Sequence, residues 1–418
     1  MSKPPASGIR SWLRLTAALA GASLLIAASA SASAPPASGK ASSADPAAAR
    51  GSAHLVEIPG GRKLYLQCRG RGGPTVILVS GVTDAADGWS HLDPGVSGPA
   101  VFPGIAPLTR VCAYDRPNTY LQTDQPGRSD PVRQPQGAGR GVADLHALMR
   151  AADVPGPYVL VAHSWGGVIA RLYASTYPRQ VAGLVLVDAA NEFLRDLFTP
   201  GQFAVVANAA LEPIPGFDPP VERADFKLGY DQMVRAKAAR PLRPTLPLVV
   251  LSRGLREPAV PPELTPPGFP DGTTMERVWH TAQGYLGELL PYARHVIARR
   301  SMHFIQWAQP KLVINAVRRE LRMLRAVAVR CRGGPSRCRA RVSLAGGASN
   351  KKVVVGLPDT DLRLASVRPN RGSLRGAYGL SANRLRAGGS EYVFRLNAAQ
   401  SIPGGADLLL DFRAVRHG

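Results

Sequence analysis

The stretch Tyr158-Val-Leu-Val-Ala162-His163-Ser164-Trp165-Gly166-Gly167 predicts a strand that turns sharply into a helix. Its first five residues are apolar and rich in valine, which is typical of a buried strand. A segment with helical periodicity, Val168–Tyr177, follows directly. Ser164 stands at the corner, and the residues two before and two after it, Ala162 and Gly166, are small enough for a tight turn. The stretch therefore predicts a serine hydroxyl raised above the edge of a sheet.

A serine at such a corner is in the position of a nucleophile. A histidine from elsewhere in the chain can take the proton of its hydroxyl. The backbone N–H of Trp165 would lie at the helix N-terminus, where it can stabilise an oxyanion. The alternative interpretation is a glycine-rich turn that contains a serine by chance. We take Ser164 as the candidate nucleophile and Trp165 as a candidate oxyanion donor.

Two further segments supply partners for this serine. Val76-Ile-Leu-Val-Ser80-Gly81-Val82 is a buried strand that ends in a glycine, and the N–H of Val82 is the candidate second oxyanion donor. His303 follows the last predicted strand and precedes the last predicted helix. A histidine on that loop can reach the serine across the sheet edge, so His303 is the candidate general base.

Strand-like and helical segments alternate through the middle of the chain. The predicted strands are Leu55–Ile58, Lys63–Cys68, Thr75–Ser80, Arg110–Asp115, Tyr158–Ala162, Leu184–Asp188, Leu248–Ser252 and His295–Ala298; the predicted helices are Gly139–Ala152, Val168–Tyr177, Met275–Leu290 and Pro310–Ala326. The inner strands are continuously apolar, as in a parallel sheet that helices cover on both faces. This alternation predicts an α/β fold over residues 53–326.

Two regions depart from the alternation. Residues 189–246 are rich in aromatic residues and proline, and they predict a cap or lid over the site, or else a long connection with one or two helices. Beyond about Val327, short alternating runs are separated by turn residues. Residues 327–418 are therefore predicted to form a small all-β domain of sandwich type.

The N-terminus has the pattern of a secretory signal peptide. Basic residues precede an apolar run, Leu15–Ala28, and Ala32-Ser33-Ala34 matches a cleavage site. We predict a signal peptide over residues 1–34, a disordered linker over 35–52, and a secreted protein. Four cysteines in an exported chain then predict two disulfides, and the obvious pairs are Cys68–Cys112 and Cys331–Cys338.

The net charge of +22 raises the question of nucleic acid. No nucleic-acid-binding motif accompanies the charge, so we predict no nucleic-acid partner. Peripheral contact with an anionic surface outside the cell would suit such a basic chain. The remaining histidines lack the spacing of metal ligands, and neither a metal nor a cofactor is predicted.

At this point the chain resembles the α/β-hydrolase superfamily, in its branch of serine esterases and lipases, over roughly residues 53–326. The resemblance rests on Ser80-Gly81, Tyr114-Asp115-Arg116, Ala162-His-Ser-Trp-Gly166, Leu184-Val-Leu-Val-Asp188 and His303-x-x-Gln306-x-x-x-Pro310. It implies a Ser-His-acid triad, no cofactor, and a mostly parallel sheet flanked by helices with a cap insertion. It also makes the second and fourth strands neighbours, which would bring Cys68 within bridging range of Cys112.

The chain departs from the superfamily's pattern at two places. Ser80-Gly81 stands where His-Gly is common, and the usual acidic residue in Gly-x-x-Asp after the seventh strand is absent. Two carboxylates remain candidates for the triad acid. Asp188 ends the sixth strand and is preferred, whereas Glu257 lies five residues past the seventh strand in a loop rich in arginine and proline. Asp115 and Arg116 are predicted to form an ion pair near the rim of the site.

These features predict a secreted serine hydrolase that cleaves small-molecule or lipid esters through an acyl-enzyme. One alternative is a peptidase similar to proline iminopeptidases, which share the Ser-Trp-Gly corner. The chain lacks their His-Gly-Gly-Pro segment and has Ser80-Gly-Val-Thr83 instead. The other alternative is a catalytically silent hydrolase-fold protein that binds at the cell surface.

Overall fold

The computed structural model describes residues 52–244, 246–258, 268–269, 273–291 and 293–325, and then seven strands between residues 328 and 414. The predicted signal peptide and nearly all of the predicted linker lie outside the described residues. So does the predicted Cys331–Cys338 pair, because Cys331 is not among them.

Eight strands form the central sheet. They are β1 (Ser52–Glu57), β2 (Lys63–Arg69), β3 (Thr75–Val79), β4 (Val111–Tyr114), β5 (Tyr158–His163), β6 (Val181–Val187), β7 (Leu248–Arg253) and β8 (Arg294–Ala298). Their order across the sheet is β1-β2-β4-β3-β5-β6-β7-β8. The pairs β1–β2 and β2–β4 are antiparallel, and all the others are parallel.

Nine α-helices accompany these strands in the described part of the chain up to residue 325. They are α1 (Val101–Ile105), α2 (Ala138–Ala151), α3 (Trp165–Thr176), α4 (Phe193–Leu197), α5 (Pro200–Ala209), α6 (Phe226–Ala239), α7 (Thr273–Gly287), α8 (Ile305–Ala308) and α9 (Pro310–Arg325). Among the described residues, no helix combines the length and apolarity that crossing a membrane requires.

The core explains the apolar runs of the sequence. Every residue of β3, β5 and β6 is buried, as are those of β4 and β7. Continuous burial requires cover on both faces of the sheet, which excludes the alternating pattern of a half-exposed strand. The predicted α/β architecture with a mostly parallel sheet is therefore confirmed.

A disulfide joins the antiparallel part of the sheet. Cys68 of β2 lies directly opposite Cys112 of β4, and the two sulfur atoms are bonded. The Cα atoms are 4.1 Å apart. This is the pair that the strand order of the resemblance implied.

The interruption at residues 189–246 contains α4, α5 and α6. It leaves the sheet after β6 and returns at β7. α6 begins at an N-cap, Asp225, whose side chain accepts from the backbone N–H of Leu228. The segment therefore contains three helices.

The C-terminal region consists of strands. They are β9 (Ala328–Arg330), β10 (Arg337–Leu344), β11 (Lys352–Pro358), β12 (Leu362–Pro369), β13 (Tyr378–Arg386), β14 (Gly389–Leu396) and β15 (Ala406–Ala414). Four of them form an antiparallel sheet in the order β12-β15-β10-β9, and three form another in the order β11-β14-β13. The chain divides into two compact units between Arg318 and Arg319, within α9.

Candidate active site

Ser164 occupies a strained corner between β5 and α3. Its backbone has φ 50° and ψ −123°, a conformation that a residue with a side chain rarely adopts. Three hydrogen bonds hold it there: the N–H of Ser164 donates to the carbonyl of Val187, and its own carbonyl accepts from Gly167 and Ala190, each at 2.9 Å. Such strain persists only where the surroundings enforce it, and it is common at functional sites.

The small residues around the corner are required by close backbone contacts. A Cβ atom on Gly166 would lie 2.4 Å from the carbonyl oxygen of Val79 and 2.5 Å from that of Ser80. A Cβ on Gly81 would lie 3.2 Å from Cβ of Ser164. The loop after β3 therefore packs directly against the serine.

His303 lies on the loop between β8 and α8 and is buried. Its Nδ1 atom is 2.7 Å from Oδ2 of Asp188, the residue that follows β6. Burial alone would raise the pKa of Asp188, but the guanidinium of Arg253 and the hydrogen bond with His303 outweigh it and hold that pKa well below its usual range. An ionised carboxylate only accepts, so the proton sits on Nδ1 and the lone pair of Nε2 is free to act as a base.

Glu257, the other candidate acid, also contacts His303, but at the backbone. Its Oε1 accepts from the N–H of His303 at 2.8 Å. Burial raises the pKa of the Glu257 carboxyl, while Arg253 and His303 oppose that effect. Both predicted carboxylates therefore surround one histidine, and Asp188 is the one that contacts its ring.

Asp188 is held by four donors. Besides His303, these are the backbone N–H and Nη1 of Arg253, each at 3.1 Å, and Nε1 of Trp279 at 3.0 Å. Arg253 is fully buried, and its Nη2 donates to Oε1 of Glu276 at 2.7 Å. The carboxylate is thus fixed from several sides, which sets the direction in which the histidine ring faces.

His163 supports the histidine from the opposite side. Its Nε2 donates to the carbonyl of His303 at 3.1 Å, and the two ring centroids are 4.6 Å apart. Burial, assisted by the nearby His303, lowers the pKa of His163 well below its usual value, so the ring is neutral. The residue beside the nucleophile therefore helps to position the histidine, a role that the sequence did not suggest.

The candidate oxyanion donors lie on two different elements. Trp165 is the first residue of α3, so its N–H has no carbonyl acceptor within the helix. Val82 lies in the loop after β3, beside Thr83, whose own N–H donates to Oε2 of Glu222 at 2.8 Å. Trp165 follows Ser164 in the chain. Val82 follows Gly81, where an added Cβ atom would lie 3.2 Å from Cβ of Ser164.

The predicted ion pair between Asp115 and Arg116 is wrong. Asp115 binds Arg128, with Nε to Oδ2 at 2.7 Å, whereas Arg116 binds Glu222, with Nε to Oε1 at 2.7 Å. Adjacent residues in extended chain point to opposite sides, so these two neighbours face different partners.

An apolar pocket opens beside the serine. It is lined by Ser164, Ala190, Leu194, Phe198, Phe203, Val206, Phe226, Tyr230, Met275 and Trp279. Seven of these residues belong to the segment 189–246. That segment therefore supplies most of the wall next to the candidate nucleophile. In the part of the chain that the structure describes, no group of three or more histidine, cysteine or acidic side chains is arranged to hold a metal ion.

Sequence reasoning missed Arg253, Trp279 and Glu222. Arg253 carried a signal, because an arginine at the end of a buried parallel strand must find a buried partner. Trp279 sits in a predicted helix where its spacing resembles that of any core residue. Glu222 lies in the segment 189–246, more than a hundred positions from Arg116, which it binds, and no local sequence pattern marks it.

The comparisons with known proteins agree with this architecture. Residues 74–212 match the profile of the α/β-hydrolase fold family. An uncharacterized protein of Schizosaccharomyces pombe is 40% identical over 103 residues, which are 25% of this chain and 18% of that protein. The uncharacterized protein YqjL of Bacillus subtilis is 30% identical over 122 residues, which are 29% of this chain and 42% of that protein. The chain spans less than half the length of these curated relatives.

Two solved structures are also similar. An esterase from Thermogutta terrifontis has 19% identity and a TM-score of 0.40, covering 65% of this chain and 98% of the esterase. A membrane phospholipase A described as a bacterial virulence factor has 19% identity and a TM-score of 0.40, covering 67% of this chain and 88% of the phospholipase. The family profile and the sheet topology together show the α/β-hydrolase fold.

Proposed function

We propose that the protein is a serine hydrolase that cleaves carboxylic esters. Ser164 attacks the ester carbonyl while Nε2 of His303 takes its proton, and Asp188 orients the ring and stabilises the imidazolium. The N–H groups of Val82 and Trp165 bind the oxyanion of the tetrahedral intermediate. His303 then protonates the leaving alcohol, and water hydrolyses the acyl-serine by the same steps in reverse.

One observation carries the proposal. A strained, partly accessible serine lines a pocket whose wall includes Trp279, and Trp279 donates to the carboxylate that binds Nδ1 of His303. These contacts support the proposed roles of nucleophile, base and orienting group. A purely structural serine would need none of these partners.

The pocket indicates the class of substrate. Its described lining contains aromatic and aliphatic side chains and no carboxylate. Such a wall favours an aliphatic or aromatic group of a small-molecule or lipid ester over a charged one. A peptidase that binds a free α-amino group would need a negative partner there, so the ester substrate is preferred over the peptidase alternative.

We also propose that the protein is secreted. The supporting observations are the signal-peptide pattern of residues 1–34 and the Cys68–Cys112 disulfide, since disulfides persist mainly in oxidising compartments. The high positive charge would then suit peripheral contact with an anionic surface.

Ser164→Ala tests the proposed function. In the purified full chain it should abolish labelling by a fluorophosphonate probe and lower turnover of p-nitrophenyl esters by roughly 10³-fold or more. Esters of graded acyl length, measured on the unchanged protein, should show a preference for chains that fill the apolar pocket over acetate.

Ser175→Ala is the matched control. Ser175 is a buried serine of α3, and its hydroxyl oxygen has no hydrogen-bond partner among the described residues. This variant should keep labelling and turnover. Undiminished turnover in folded Ser164→Ala protein would rule out the serine-hydrolase proposal.

A further inference from the structure

The peptide unit between Gly81 and Val82 is held through its carbonyl. The oxygen of Gly81 accepts from Nη2 of Arg116 at 2.5 Å and from the N–H of Asp84 at 3.3 Å. Because a trans peptide is planar, its N–H points opposite to its C=O. Fixing the carbonyl of Gly81 therefore fixes the direction of the Val82 N–H, the candidate oxyanion donor.

Arg116 holds the neighbouring peptide unit as well. Its Nη1 donates to the carbonyl of Ser80 at 2.8 Å, so one planar guanidinium orients two successive carbonyls. The Ser80 oxygen is also the atom that approaches Gly166 at the serine corner. The arginine thus sets the position of the loop relative to the nucleophile.

Glu222 holds the arginine in turn. Its two oxygens accept from Nε of Arg116 at 2.7 Å and from Nη2 at 2.8 Å, and both side chains are buried. Oε2 also accepts from the N–H of Thr83. The φ angle of Thr83 is 69°, a conformation that β-branched residues disfavour. One carboxylate therefore holds both the arginine and the strained turn that follows Val82.

Glu222 comes from the cap segment, not from the sheet. Its own N–H donates to the carbonyl of Asn118 at 2.7 Å, and the preceding Pro220 accepts from the side chain of Asn118 at 2.7 Å. The segment that carries Glu222 is thus hydrogen-bonded to the loop after β4, which also contains Arg116.

We propose that Arg116 and Glu222 are positioning residues for the oxyanion site, and that the cap takes part in catalysis by supplying Glu222. This inference rests on the proposed function, because it concerns the oxyanion donor of that reaction. The pair contacts the loop that carries the donor and acts on the reaction only through that loop. Its loss should therefore weaken binding of the transition state more than binding of the ester.

The test replaces both members, in the full chain, by Arg116→Met with Glu222→Met. Removing both charges avoids a buried unpaired ion, and such exchanges are often tolerated by the fold. We expect kcat for a p-nitrophenyl ester to fall about 100-fold, the scale of losing or displacing one oxyanion donor, while KM changes by less than about threefold. The inhibition constant of phenylboronic acid, which forms a tetrahedral adduct on serine, should rise by a factor similar to the fall in kcat.

Arg171→Met with Glu192→Met is the matched control. This pair is also bidentate and buried, with exposed side-chain fractions of 1% and 2%. It should keep both the wild-type kcat and the wild-type inhibition constant of phenylboronic acid, because Arg171 and Glu192 hydrogen-bond to each other and, among the described residues, not to the loop after β3.

A folded double variant with wild-type kcat, or a loss confined to KM, would overturn the inference. If the double variant does not fold, the same kcat, KM and boronate measurements on Glu222→Gln test the inference, since that change keeps the shape of the side chain and removes its charge. Ser164→Ala is assayed in parallel. Activity that survives in Ser164→Ala refutes the proposed function. If Ser164→Ala is inactive and the Arg116→Met, Glu222→Met variant keeps the wild-type kcat, this inference alone is refuted.

Discussion

Two carboxylates meet His303 at different atoms, and this difference separates their roles. Asp188 accepts from the imidazole ring, whose charge changes when the serine proton is taken. Glu257 accepts from the backbone N–H, whose charge does not change. In the proposed reaction the ring partner would stabilise the imidazolium, while the backbone partner fixes the loop on which the histidine sits.

We therefore expect Asp188→Asn and Glu257→Gln to differ strongly. Asp188→Asn leaves the shape intact but cannot hold the correct ring tautomer, and kcat should fall by about 10³-fold or more. Glu257→Gln keeps an oxygen that can accept from the His303 N–H, so kcat should change by only about a few fold. Steady-state kinetics on ester substrates measure both.

Circular dichroism of each variant is the control, because Asp188 also binds the buried Arg253. The opposite pattern, with a large effect in Glu257→Gln and a small one in Asp188→Asn, would assign the acid to Glu257.

At the scale of elements, the disulfide joins two strands that are distant in sequence. Cys68 and Cys112 are 44 positions apart, and the bond closes the chain from β2 through β3 to β4. Cross-linking such a loop restricts the unfolded chain. Replacing both cysteines by alanine should therefore lower the free energy of unfolding by about 2–4 kcal/mol.

Urea unfolding of the variant beside the unchanged protein measures this difference. Under reducing conditions, the unchanged protein and the variant should unfold at the same urea concentration. Free thiols at Cys68 and Cys112, found by peptide mapping of the purified, unreduced protein, would contradict the bond, and an unchanged midpoint in the variant would contradict its contribution to stability.

The segment 189–246 adds residues to a candidate site whose other members lie at the edge of the sheet. The sheet places Ser164, Asp188 and His303 at the carboxyl ends of β5, β6 and β8, where α/β folds usually bind ligands. The insertion between β6 and β7 then supplies the apolar wall of the pocket and the Glu222 carboxylate.

At the scale of the whole molecule, every candidate site residue precedes the C-terminal strands. His303 is the last of them, and α9 ends at Arg325. We therefore expect a chain ending at Ala326, which keeps α9 intact, to retain its kcat and KM for soluble esters within about threefold of the full chain. An inactive but folded shortened chain would show that residues 327–418 contribute to the site.

The sequence by itself determined the class of fold and indicated the candidate site residues. Continuous apolar strands alternating with helices can bury themselves only as a parallel sheet covered on both faces, so the architecture followed from the pattern. Ser164 could be found because its corner requires small neighbours, and those requirements are local. The Cys68–Cys112 pair needed the strand order as well, which the resemblance supplied.

Only the tertiary structure decided which atom of His303 each carboxylate contacts and which residues the segment 189–246 contacts. The sequence allowed either Asp188 or Glu257 as the triad acid. Which atom of His303 each carboxylate reaches depends on how three separate loops pack. The Arg116–Glu222 pair joins positions more than a hundred residues apart, and neither residue's neighbours in the chain indicate its partner. Contacts of this kind arise from folding in three dimensions, where side chains choose partners by proximity and burial rather than by order in the chain.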